Sequence, residues 1–109
     1  MMNEKDWKHL SALRETAVER LYDRIFENLK MAVQADDKTG REKVFGAKQA
    51  IDTGLEEVRY TFDSLRHSRS NANIILLAMV NAELVTEQEM AGFSEDVQQH
   101  ISSILNDPL

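Results

Sequence analysis

ANIILLAMVNAELV, residues 72–85, decides how the rest of the chain is read. Ile74 to Val80 are apolar without interruption, and the stretch has no Gly or Pro. The run falls far short of the ~20 residues that a membrane span needs. Helical spacing continues it to Ala82 and Val85, so it reads as a buried helix segment around which other helices pack. Its apolar side chains point around the whole circumference, and a helix apolar all round is buried all round. One chain of this length has little else to cover it. Ile74, Ile75, Leu76, Met79 and Val80 are therefore the expected interface of a dimer, the commonest closed assembly.

Upstream, Val44, Ala47, Ile51, Leu55, Val58, Phe62 and Leu65 recur every three or four residues, close to a heptad seam. Gly54 lies beside this seam, and its spacing leaves two readings open: close helix approach, or a tolerated weak spot. Arg66-His67-Ser68-Arg69-Ser70-Asn71 has the composition of a turn, because Ser and Asn favour caps and turns. The three/four register nevertheless carries on to Ala72, Leu76 and Met79. The expectation is one helix over about 41–84, with 67–71 as the place of any kink.

Further upstream, Asn3 is placed to cap a first helix over about 4–34. Its apolar stripe runs through Trp7, Leu10, Leu13, Ala17, Leu21, Ile25 and Leu29, widened by Tyr22, Phe26 and Val33. Asp36 to Gly40 is a short polar break, and Thr39 with Glu42 forms a capping-box pattern. A link this short makes the two long helices antiparallel neighbours. Downstream, Thr86 with Glu89 repeats the pattern for a short helix ending near Gly92. Ser94 starts a last helix through Val97, Ile101 and Leu105, which Asn106-Asp107-Pro108 ends. The expected fold is a single all-α domain, residues 1–109. Two long antiparallel helices and two short C-terminal ones form a bundle completed by dimerisation.

Composition narrows the functions. The chain has no cysteine, which excludes disulfides, thiolate metal sites and a Cys nucleophile. The N-terminus lacks the apolar core of a signal peptide, and the expected setting is the cytoplasm of a bacterium. Residues 70–109 carry no Lys or Arg, while acids and bases balance upstream, so the net charge of −6 belongs to this last section. Glu87, Glu89, Glu95 and Asp96 are the candidate contacts to a basic protein partner. An acidic chain whose aromatics fall on apolar stripes is not expected to bind nucleic acid.

Chemistry-bearing patterns are sparse. Asp6 precedes His9 by three residues and Asp96 precedes His100 by four, so each pair shares a helix face. No Glu-x-x-His of the di-metal bundles occurs, and no metal or cofactor is expected. No phosphate loop, dinucleotide fingerprint or nucleophile elbow is present. The densest positive group is Arg59, Arg66, His67 and Arg69, a candidate site for a small anion or an acidic ligand. Two readings follow: a non-enzymatic helical interaction module, homodimeric, or a sensor built on that basic group.

Overall fold

Asn3 begins the first helix as its sequence requires. Its side-chain oxygen accepts the Asp6 N–H at 2.8 Å, satisfying one of the donors that a helix start leaves open. The structure, a computed structural model, describes residues 1–106. Asp107 and Pro108 of the expected C-terminal stop lie outside the described residues. Helix α1 spans Glu4–Val33 and α2 spans Gly40–Val58. The box at the start of α2 forms, with Glu42 N–H on Thr39 Oγ1 at 3.2 Å and Thr39 N–H on Glu42 Oε1 at 3.0 Å. Three helices follow: α3 Ala72–Asn81, α4 Glu87–Ala91 and α5 Glu95–Leu105. The fold is all-α, with the two long helices packed against each other.

The helices α1 and α2 meet through small residues. A Cβ on Gly54 would stand 2.5 Å from Ile25 Cγ1, so this glycine permits close approach and is not a tolerated weak spot. A Cβ on Gly46 would meet Ala32 Cβ at an ordinary 3.5 Å. Val44, Ile51 and Leu55 of the apolar seam stay exposed beside this contact, while Val58 and Phe62 enter the core.

The expectation of one helix over 41–84 is corrected. The second helix widens into a π turn at Arg59–Asp63, ends, and resumes through a 3-10 turn at Arg69–Asn71. Between them the Ser and Asn side chains give the backbone other partners. Ser64 Oγ donates to the Tyr60 carbonyl at 2.7 Å, and Asn71 Nδ2 to the Arg66 carbonyl at 2.9 Å. A straight helix would also have wasted the apolar run. Gly54 is level with Ile25, and at ~1.5 Å per residue a continuous helix would carry Leu76 to the start of α1 and Met79 past it. The break lets α3 turn back and bury Ile75, Leu76 and Met79 against α1 and α5.

The core is thus built by α1 (Leu10, Leu13, Ala17 and Leu21), the end of α2, α3 and the C-terminal helices. Leu84, Phe93, Val97 and Ile101 fill it from the acidic section. The end of α3 is closed by two backbone bonds, Leu84 N–H to Met79 O and Glu83 N–H to Val80 O, each 3.0 Å. That is the Schellman arrangement, which puts Glu83 in the left-handed region at φ 59° where glycine is usual. Arg24 donates to the carbonyls of Ala82 and Glu83 at 2.8 and 3.0 Å, and Arg20 to that of Leu84 at 2.8 Å. The molecule measures 52 × 27 × 25 Å. Its length is that of the α1–α2 hairpin.

Candidate interaction surface

The apolar run of residues 74–80 is covered mostly by its own chain. Leu76 and Met79 are fully buried and Ile75 nearly so, which takes them off the surface offered for dimerisation. The expectation that a second chain must cover them is corrected, because the break after Asp63 supplies cover from α1 and α5. Val80 is half-buried, and Ile74 is 56% exposed. Ile74 borders a groove of about 430 Å³ between the end of α2 and α3, lined also by Tyr60, Leu65, Leu77 and Ala78.

The acidic section is only partly free. Glu89 receives both guanidinium nitrogens of Arg20, at 2.6 and 2.8 Å. It also closes the Thr86 capping box, at 2.9 and 3.1 Å. The hydrogen bonds from Arg20 pull its carboxyl down to about 2, with smaller help from the Thr86 backbone and the Arg20 charge. Glu89 is therefore withdrawn from the set expected to meet a basic partner: it fastens α4 to α1. Glu87, Glu95 and Asp96 remain exposed.

Two members of the basic group have partners within the chain. His67 lies against the Trp7 ring with centroids 4.6 Å apart, and its Nε2 is 3.3 Å from Ser11 Oγ. Burial, then the charge of Arg14, lowers its pKa and keeps the ring neutral. Arg69 Nε donates to the Met2 carbonyl at 2.8 Å. Arg59 and Arg66 are exposed. Two of the four groups are thus committed to holding the N-terminus of α1 against the 3-10 turn.

The paired acid and histidine motifs have structural partners. Asp6, buried, accepts from Ser94 N–H at 2.9 Å and from Ser94 Oγ at 2.6 Å, and so caps α5 from another helix. His9 Nε2 is 2.8 Å from the Glu89 carbonyl, and its ring meets Phe93 edge-on. Among the described residues no three His, Asp or Glu side chains gather as a metal site. None of their helices is long and apolar enough to cross a membrane.

The surface that sequence reading missed is on the hairpin. Large apolar side chains stand exposed along both α1 and α2. Tyr22, Phe26 and Val33 of α1 are exposed, as are Val44, Ile51 and Leu55 of α2. The sequence signal for this placement is the line Gly46, Ala50, Gly54, which marks the side of α2 that meets α1 and leaves Val44, Ile51 and Leu55 off it.

Compared with protein-family models, with curated proteins and with solved structures, the chain matches none.

Proposed function

We propose that this chain is a non-enzymatic helical interaction module that acts as a homodimer. One observation carries the reading: half of the α1–α2 hairpin projects beyond the core as two bare helices with apolar side chains in water. Isolated helices of this length are marginal in water, and most helix stability comes from burying an apolar face. An exposed apolar patch of this kind marks a site of association. Sedimentation equilibrium tests it. A dimer is expected at micromolar concentration, and a mass of 12.5 kDa at all concentrations would overturn the proposal.

The C-terminal helices give the module a second, polar side. Glu87, Glu95 and Asp96 are exposed carboxylates on a section with no Lys or Arg, suited to a basic protein partner. Such binding should weaken steeply with salt. A partner captured by pull-down whose affinity ignores salt would count against this side. The sensor reading has less support, since Arg69 and His67 are already engaged inside the chain.

A further inference from the structure

We infer that the two copies meet through one defined face of the hairpin, the side opposite α3–α5, with α1 of each lying on α2 of the other. This rests on the homodimer reading and specifies its geometry. An α-helix turns ~100° per residue, so positions can be placed around each helix from its contacts. On α1, Asp6, Arg20 and Arg24 reach the C-terminal section, and Ile25 and Ala32 face α2. Tyr22, Phe26 and Val33 then fall on the far side of that contact. On α2, Gly46 and Gly54 face α1, and Glu57 at its end lines the groove beside α3. Val44, Ile51 and Leu55 fall on the far side there too. Both stripes therefore form one continuous surface, with the C-terminal helices on its back.

The area suits a second copy. Tyr22 is 44% exposed, Phe26 56%, Val33 43%, Val44 68%, Ile51 39% and Leu55 42%. At those exposures the six leave roughly 550 Å² of largely apolar surface open, at the upper end of the about 300–600 Å² that the largest patch on a monomer reaches. A standard interface takes about 800 Å² from each partner, and about 65% of that is apolar in homodimers, or roughly 520 Å². The surface matches that requirement without drawing on the groove beside Ile74.

Its shape selects the symmetry axis. Ile25 is level with Gly54 and Ala32 with Gly46, so residue numbers at one level add to about 79. A two-fold axis parallel to the hairpin sets Phe26 between Ile51 and Leu55 of the second copy, and Val33 opposite Val44. The Phe26 ring thus fits between two aliphatic side chains, as interdigitating layers require. At the rim, Glu19 is level with Arg59 of the other copy, an opposite-charge pair. An axis across the hairpin would instead set α1 on α1, with Phe26 near its own mate. The product is an antiparallel four-helix bundle flanked by the two C-terminal sections.

The absence of cysteine makes the test clean. Val33→Cys and Val44→Cys are made as separate proteins, mixed, allowed to exchange and oxidised. A cross-linked 33–44 heterodimer is expected, with little product from either protein alone. In sedimentation, Ile51→Glu should be monomeric at concentrations where the wild type and Ile74→Asp are dimeric. A monomeric wild type would overturn both the homodimer reading and this face. A dimeric wild type with no 33–44 product would overturn the face alone. So would an Ile74→Asp protein that is monomeric, which would move the interface to the groove.

Discussion

Replacing Gly54 by alanine should destabilise the protein, and the same change at Gly46 should stabilise it. Alanine is worth up to about 1 kcal/mol over glycine inside a helix, and both sites are helical. At Gly46 the new methyl stands 3.5 Å from Ala32 Cβ, an ordinary contact, so most of that gain should appear. At Gly54 it would stand 2.5, 2.8 and 2.9 Å from three atoms of Ile25. Isoleucine in a helix is held near one χ1 rotamer, so it cannot swing away cheaply. Overpacking of this kind costs about 1–3 kcal/mol, enough to exceed the propensity gain. A net loss of about 1 kcal/mol or more is expected, a fall in Tm of roughly 4 °C for a domain of this size. Thermal unfolding of both variants at one fixed protein concentration decides it, since dimerisation would make Tm concentration-dependent. Ile25→Ala in both backgrounds adds the coupling, which should lie between about 0.5 and 3 kcal/mol and relieve the Gly54→Ala protein. An unchanged or raised Tm for Gly54→Ala would show that α1 and α2 do not approach this closely, and the placement of the two apolar stripes would fall with it.

Glu83→Gly should raise stability by about 0.5–1 kcal/mol, because it removes a side chain from a left-handed position, and equilibrium urea unfolding would read the gain. Acid should weaken the fold in two windows. His67 has a lowered folded pKa, so its contribution is full above its ordinary 6.5 and declines as pH falls below it. Glu89 falls to about 2, so its contribution is full above the ordinary 4.5 and is lost as pH drops toward 2. The Arg20 side chain is 36% exposed, so solvent screening should leave the pair worth about 1 kcal/mol. Tm measured against pH should lose the lower window in Glu89→Gln and the upper one in His67→Gln, and profiles identical to wild type would refute these assignments.

The sequence by itself determined the elements that local chemistry controls. Asn3 caps α1, and the boxes at Thr39–Glu42 and Thr86–Glu89 form as written, because each needs only residues three apart. Three- and four-residue apolar spacing likewise marked the helices, and the absence of any strand pattern marked the class. The choice at 64–71 lay beyond that spacing. Helical register and turn composition disagreed there, and the balance was tipped by where Leu76 and Met79 could be buried, a property of the length of α1. The stripes of α1 and α2 were both legible, yet their pairing was not. Which side of a helix meets its neighbour depends on how closely two backbones approach, and Gly54 against Ile25 sets that distance only once the hairpin closes. The same holds for Glu89 and Asp6. Each looked like a charge at a helix start, and each became a tie to α1 or α5 because tertiary packing brought Arg20 and Ser94 within hydrogen-bond reach across 69 and 88 residues of chain.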